Sequence, residues 1–108
     1  IHVTAPFSAV LRIGELEIYH EYRRVLMAGR EVRLNHGEYA MLYCMASAPG
    51  QVFSKAQLYA AAWGEEYLHG TTSVENIIWR LRQKLEKDPK HPEYIKTVIG
   101  TGYKIETP

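Results

Sequence analysis

The chain has 108 residues, which is enough for one domain with a small hydrophobic core. Hydrophobic residues make up 46% and charged residues 23%, which is ordinary for a soluble globular chain, and no apolar run approaches the length of a membrane span. The net charge of +1 by itself indicates nothing about a nucleic-acid partner.

The single cysteine, Cys44, excludes an internal disulfide bond. It lies in an apolar segment, so we expect a buried small hydrophobic residue and a reducing cytoplasm as the location. No signal peptide is visible. Because the chain starts at Ile1 and not at Met, we expect a piece of a longer protein.

Positive charge is slightly concentrated in the C-terminal third. Residues 73–108 hold seven Lys/Arg and five acidic residues, whereas residues 1–72 hold six and seven. This asymmetry is compatible with a nucleic-acid-binding surface in the C-terminal third, and equally with a mixed solvated surface.

The N-terminal third predicts a flexible end followed by a small sheet. Residues 1–9 show no hydrophobic period and are expected to be a linker, so the domain is expected to span residues 10–106. Short, partly alternating apolar runs within residues 10–34 predict an antiparallel meander of about four strands.

Two capping boxes mark the starts of the first two helices. The box at residues 35–38 opens a mostly buried helix that is expected to end near residues 49–50. The box at residues 54–57 opens a short helix over residues 55–63, which Gly64 ends.

Residues 72–87 carry one apolar stripe with helical period, and a third capping box, Thr72 and Glu75, places the helix start at Ser73. The stripe is Val74, Ile77, Ile78, Leu81 and Leu85. The opposite face, with Arg80 on its flank, carries Thr72, Asn76, Trp79 and Gln83. Because Asn, Gln and Arg make bidentate contacts with base edges, this pattern indicates a DNA recognition helix. An ordinary amphipathic surface helix is the alternative.

The C-terminal end, residues 94–106, predicts a β-hairpin. Extended runs at residues 94–98 and 103–106 flank a Gly-Thr-Gly turn, and residues 52–53 are too short for more than an edge pairing. Strands, helix, short helix, long helix and hairpin follow one another in the order of a winged helix-turn-helix, an α+β fold.

Three segments form a specific combination: Leu58…Trp63-Gly64, the RLR-x-K-L helix and the TV-x-G-x-GY tail. With them, the chain resembles the effector domain of OmpR/PhoB-type response regulators over residues 10–106. The resemblance implies an N-terminal four-stranded antiparallel sheet, three helices and a C-terminal hairpin. It also implies sequence-specific binding of double-stranded DNA by the output domain of a two-component transcriptional regulator in the bacterial cytoplasm. An upstream receiver domain, phosphorylated by a sensor kinase in a phosphorelay, would supply dimerisation.

Carried over by position, the resemblance implies that Arg80 reads a base, with Asn76 one turn before it, and that the start of the helix meets phosphate. The Trp63 indole would donate to phosphate and Thr97 would lie near the DNA backbone, while Arg82 and Lys84 are candidate phosphate contacts. The complete predicted DNA-binding set is Trp63, Thr72, Ser73, Asn76, Trp79, Arg80, Arg82, Gln83, Lys84, Thr97, Ile99, Gly100 and Thr101.

The connector before the recognition helix matches the loop with which family members touch RNA polymerase. The predicted polymerase-contact residues are Glu65, Glu66, Tyr67 and Leu68. The isolated domain is expected to be monomeric, and to bind as a dimer or in tandem on half-sites about one helical turn apart.

Two residues depart from the family pattern. Ile99 replaces an arginine that enters the minor groove in some members, which weakens the case for minor-groove reading, although an apolar tip can pack on a sugar. Trp79 replaces a basic residue and could stack on the backbone or cover the first helix. Both changes fit the low net charge and indicate modest affinity.

Structural roles compete with several of these assignments. Trp63 could belong to the core, Arg82 could pair with Glu86 at i+4, and Tyr103 is better explained as a core residue. The five histidines have no partner at i+3 or i+4, so no metal site is predicted. No nucleophile–base pair or carboxylate pair indicates an enzyme, and no cofactor is predicted.

Two other functions remain open. The winged helix could be a protein-interaction module with an apolar patch of Ile99, Trp79, Tyr67 and Leu68. It could also be the effector domain of a one-component or membrane-anchored activator, which would differ only in the residues upstream of Ile1.

Overall fold

The computed structural model describes residues 10–64 and 73–108. The predicted linker, the predicted polymerase-contact loop and Thr72 lie outside these residues. The elements are β1 (Val10–Ile13), β2 (Leu16–Tyr19), β3 (Arg24–Met27), β4 (Arg30–Val32), α1 (His36–Ala46), α2 (Lys55–Trp63), α3 (Ser73–Leu85), β5 (Ile95–Val98) and β6 (Gly102–Ile105). A 3-10 turn at His20–Tyr22 joins β2 to β3.

Strands β1 to β4 form an antiparallel meander in chain order, as predicted. Alternate residues of the central strands enter the core: Leu16 lies opposite Met27, and Ile18 lies opposite Val25. This alternation follows from the two-residue period of a strand, which gives the sheet one apolar face and one polar face. One hydrophobic cluster joins the apolar face to the three helices and the hairpin.

The first two helices begin at the predicted capping boxes, but α1 ends at Ala46 and not near residues 49–50 as predicted. Pro49 disfavours helical backbone in the residue before it. The Asn35 side chain accepts from the Glu38 N–H at 2.9 Å, and the Glu38 carboxylate accepts from the Asn35 N–H at 3.0 Å. Ser54 and Gln57 make the same reciprocal pair at 3.1 and 2.8 Å. Helix α2 ends at Gly64, whose φ of 69° is the left-handed conformation that favours glycine.

The predicted apolar stripe of α3 is buried along its whole length and packs against α1 and α2. The helix starts at Ser73 as predicted, but it ends at Leu85 instead of residue 87. Pro89 opposes a longer helix, because it has no N–H to donate to the Leu85 carbonyl. The Glu86 N–H still donates to the Arg82 carbonyl, and the Glu86 carboxylate accepts hydrogen bonds from the backbone N–H groups of Glu93, Tyr94 and Ile95.

The hairpin β5–β6 is tied to the segment before α2. Phe53 and Tyr103 exchange two backbone hydrogen bonds of 2.8 and 2.9 Å, which confirms the predicted edge pairing. A Cβ at Gly102 would lie 1.9 Å from the Phe53 carbonyl oxygen, so this close approach requires glycine. Tyr103 is buried, as predicted.

Cys44 is half-buried, not fully buried as expected, and burial raises the pKa of its thiol. None of the helices in the described part of the chain is long and apolar enough to cross a membrane. The predicted bounds of the domain, residues 10–106, stay a prediction.

Candidate nucleic-acid interface

The face of α3 opposite the buried stripe is open to solvent. Its exposed residues are Asn76, Trp79, Arg80 and Gln83. Arg80 makes no hydrogen bond or ion pair with any other residue of the described ranges, so its guanidinium can reach a ligand. Trp79 is 42% exposed. The face therefore presents amide, indole and guanidinium groups together.

Helix α2 contributes to the same surface through its last residue. Trp63 lines one shallow depression with Ser73, Asn76 and Arg80. Its ring is 40% exposed and packs at 4.8 Å against the ring of Tyr59, so the alternative of a core tryptophan is wrong. Four predicted residues from two helices are thus brought together.

A salt bridge links the first turns of α2 and α3. Lys55 Nζ donates to Glu75 Oε2 at 2.5 Å. This hydrogen bond lowers the pKa of the Glu75 carboxyl below its ordinary value, against the opposing effect of burial. The pair balances the negative charge of Glu75, the acidic residue at the border of the exposed face.

Arg82 lies on the side of α3 that faces the hairpin. Its Nε and Nη2 donate to the Ile95 carbonyl at 3.2 and 2.9 Å, and Nη2 also donates to Thr97 Oγ1 at 2.8 Å. Burial lowers the pKa of the guanidinium, while Tyr103 and Glu86 act to raise it. These contacts connect Arg82 to the hairpin, and its contact with phosphate, like that of Thr97, stays a prediction.

Lys84 is also engaged within the protein. Its Nζ donates to Glu38 Oε1 at 2.7 Å and to the Arg33 carbonyl at 2.9 Å. Gln83 is exposed but lines a different hollow, together with Glu93 and Tyr94. The C-terminal half of the predicted helix surface is therefore divided between internal contacts and solvent.

The tip of the hairpin projects from the domain. Ile99 is 93% exposed, and Gly100 and Thr101 are exposed beside it. The hairpin residues from Thr97 to Tyr103 form a groove with the start of α2, which is also lined by Lys55, the partner of Glu75. Sequence reasoning missed Lys55 because no motif connects a residue next to a helix cap with a turn more than forty residues later.

Two of the three described histidines, His20 and His36, connect elements of the fold. The His20 ring stacks on Tyr43 at 3.9 Å and its Nδ1 lies 2.7 Å from the Tyr39 hydroxyl. His36 Nε2 lies 2.9 Å from the Ala62 carbonyl and connects α1 to α2. Within residues 10–64 and 73–108, no group of three His, Cys, Asp or Glu residues could hold a metal ion.

Comparison with known proteins identifies the family. Residues 29–105 match the family described as "Transcriptional regulatory protein, C terminal". The chain belongs to this family. It is 41% identical over 98 residues to the uncharacterized transcriptional regulatory protein YcbL of Bacillus subtilis. The alignment covers 91% of this chain and 43% of YcbL. The family consists of transcription regulators, so the expectation of a non-enzyme is confirmed.

Solved structures agree with this assignment. The DNA-binding domain of Klebsiella pneumoniae RstA, in complex with the RstA box, is 32% identical with a TM-score of 0.82. The alignment covers 90% of this chain and 96% of the RstA domain. DrrB of Thermotoga maritima, an OmpR/PhoB homologue, is 28% identical with a TM-score of 0.81 over 91% of this chain and 44% of DrrB. The resemblance to OmpR/PhoB-type effector domains and the winged-helix fold are confirmed.

The chain spans about two fifths of the length of the curated relatives that it matches. The chain therefore contains the domain that defines this family. The activity and partners of the whole protein are proposals.

Proposed function

We propose that this domain binds double-stranded DNA sequence-specifically, as the output domain of a two-component transcriptional regulator. The observation that carries the proposal is the exposed face of α3, where Asn76 and Arg80 share a depression with Trp63. The similarity to the RstA domain, whose structure is a complex with the RstA box, supports it.

In the proposed complex, α3 enters the major groove. Arg80 has a free guanidinium among the described residues and reads guanine, while Asn76 is suited to adenine. Each good base contact is worth about 1–3 kcal/mol of discrimination against the wrong base pair. Ser73 begins α3, where the helix dipole favours a phosphate, and Trp63 at the end of α2 lines the same depression.

The wing, residues 94–106, contacts the flanking backbone or the minor groove. Ile99 and Thr101 stand at its exposed tip, and Lys55 lies in the adjoining groove. An isoleucine makes apolar contact with a sugar and cannot make the charged contact of an arginine. We therefore expect the wing to add affinity with little base specificity.

The whole protein is proposed to be a bacterial cytoplasmic regulator with a receiver domain and a cognate sensor kinase. The isolated domain would be monomeric and would occupy tandem half-sites about one helical turn apart. Glu65, Glu66, Tyr67 and Leu68 remain candidates for contact with RNA polymerase, and they lie outside the described residues. A one-component or membrane-anchored activator is the alternative architecture, and it preserves the DNA-binding function of this domain.

Selection of bound sequences from a random duplex library tests the proposal. A sequence motif recurring about one helical turn apart is the expected result. Titration of the recovered duplex by fluorescence anisotropy should show affinity that falls with salt, with a slope of about −0.9 for each phosphate neutralised. No binding even at low salt would contradict the proposal.

A protein-interaction module is the second candidate, and the exposed apolar side chains of Ile99 and Trp79 favour it. The two functions differ in their response to salt. DNA binding releases counterions and weakens steeply as salt rises, whereas a protein-interaction module would show no salt-sensitive affinity for the duplex.

A further inference from the structure

Two side chains at the C-terminal end of α3 hold the wing: Arg82 in the last turn and Glu86 just after it. Arg82 donates two hydrogen bonds to the Ile95 carbonyl and one to the hydroxyl of Thr97. Four residues later, the Glu86 carboxylate accepts from the Ile95 N–H at 2.8 Å. Both backbone polar groups of Ile95 are therefore bound at the C-terminal end of α3: the carbonyl by Arg82 within the helix, and the N–H by Glu86 just after it.

These bonds lie on the outer edge of β5. Ile95 lies opposite Ile105 in the hairpin, and its own polar groups point towards α3. The other edge of the hairpin is tied through Tyr103 to Phe53. The wing is thus fixed on both sides, and the hydrogen bonds of Arg82 and Glu86 connect β5 directly to the C-terminal end of α3.

We propose that Arg82 and Glu86 are positioning residues that set the angle between the wing and the recognition helix, so that both bind DNA as one rigid body. The proposal rests on the proposed DNA-binding function, and it gives Arg82 and Thr97 roles other than phosphate contact. A guanidinium is required because its planar fork binds the Ile95 carbonyl and the Thr97 hydroxyl at once, which an ammonium group cannot reproduce.

The two roles of Arg82 predict opposite results for Arg82→Lys. If Arg82 contacted phosphate, lysine would keep the charge and most of the affinity, and Arg82→Met would lower the salt slope by about 0.9. If Arg82 positions the wing, lysine and methionine should weaken binding by a similar factor, on the order of tenfold, because both lose the forked hydrogen bonds.

The first experiment uses the 108-residue chain without DNA. Residual dipolar couplings of the backbone amides report the orientation of the wing relative to the helices in wild type, Arg82→Met and Thr97→Val. In the wild type, one alignment should fit α1, α3, β5 and β6. In Arg82→Met, the couplings of β5 and β6 should no longer fit the alignment defined by the helices. Lys87→Met is the matched control, since it removes one exposed cation just beyond α3 and should leave the fit unchanged.

The second experiment measures affinity for the duplex recovered by selection. Equal losses for Arg82→Lys and Arg82→Met, with disturbed wing couplings in the methionine variant, support the proposal. Full retention of affinity by Arg82→Lys, or wing couplings that still fit in Arg82→Met, would overturn it.

Thr97→Val serves if the arginine variants do not fold, because it removes only the hydroxyl acceptor. A smaller reorientation confined to the wing supports the proposal, and unchanged couplings together with unchanged affinity overturn it. If no duplex is recovered, the proposed function fails, while the couplings still decide whether Arg82 orients the wing.

Discussion

At the residue scale, two arginines of one helix turn have different environments. Arg80 is exposed and has no partner among the described residues, whereas Arg82 is half-buried and bound to Ile95 and Thr97. Helical spacing places them on different sides of α3, but only the fold shows that one side faces the hairpin. The sequence therefore identified Arg80 as a base-reading candidate and could not identify the partners of Arg82.

Replacing Arg80 by alanine should weaken binding to the selected duplex by about 1–3 kcal/mol and relax specificity at one base position. The free energy of unfolding should change by less than about 0.5 kcal/mol, because the side chain is on the surface. Anisotropy titration and urea unfolding measure the two quantities. Arg30→Ala, an exposed arginine on β4, is the control with the same charge change. Equal affinity of Arg80→Ala and wild type would refute base reading by Arg80.

Gly102→Ala should reduce the free energy of unfolding by about 2–4 kcal/mol, because the new Cβ would overlap the Phe53 carbonyl oxygen and separate the wing from the segment before α2. Gly50→Ala is a matched control: its φ is +87° but nothing lies within 4 Å of its Cβ, so only backbone strain of about 1–2 kcal/mol is expected. Urea unfolding compares the two. A similar loss in both variants would mean that the close approach at Gly102 is unimportant.

At the element scale, the sequence predicted what local signals control. The reciprocal caps at Asn35 and Ser54 start α1 and α2, and α2 ends at Gly64, so its predicted and observed bounds coincide. The apolar period of α3 predicted its buried side. The end of α3 is predicted two residues too late, and the Glu86 carboxylate that follows it binds backbone groups that come later in the chain.

Contacts between distant elements could not be predicted from the sequence. Lys84 binds Glu38, which lies 46 positions earlier, and Lys55 binds Glu75, which lies 20 positions later. Neither contact follows from spacing on one helix. The candidate site was therefore predicted as a set of residue types on α3, and its connections to α1, α2 and the wing came from the fold.

Lys84→Met should destabilise the domain by about 1–2 kcal/mol, because Glu38 is only 1% exposed and would lose its cationic partner. The half-exposed ammonium keeps the loss below that of a fully buried pair. Thermal or urea unfolding measures it against Lys87→Met, which removes an exposed cation. If Lys84→Met left stability unchanged, the structural role of Lys84 would be refuted and a phosphate contact favoured.

The pair of Lys55 and Glu75 should add a small acid-sensitive stabilisation. The folded-state pKa of Glu75 is lowered, so its contribution is present above its unfolded value near 4.5 and is lost as pH falls through the folded value. Because the side chains are 41% and 38% exposed, we expect less than about 1 kcal/mol. Urea unfolding of wild type and Lys55→Gln at pH about 3 and about 7 tests this. A stability difference that is no smaller at the acidic pH would contradict the linkage.

At the scale of the whole molecule, the order of elements and the hairpin motif were sufficient to predict a winged helix. The fold then brings α3, the end of α2 and the wing together, while the four-stranded sheet contributes the opposite side of the core. A net charge of +1 is low for a nucleic-acid-binding domain. We therefore expect few phosphate contacts and modest affinity from one isolated domain.

DNA binding through α3 and the wing is tested most directly by titrating the isotope-labelled domain with the selected duplex and recording the NMR shifts of its backbone amides. If α3 and the wing bind DNA, the largest changes should lie in α3 from Ser73 to Gln83 and at the wing tip from Thr97 to Thr101, with small changes in β1 to β4. Changes concentrated on the four-stranded sheet, or none at low salt, would contradict DNA binding through the recognition helix and the wing.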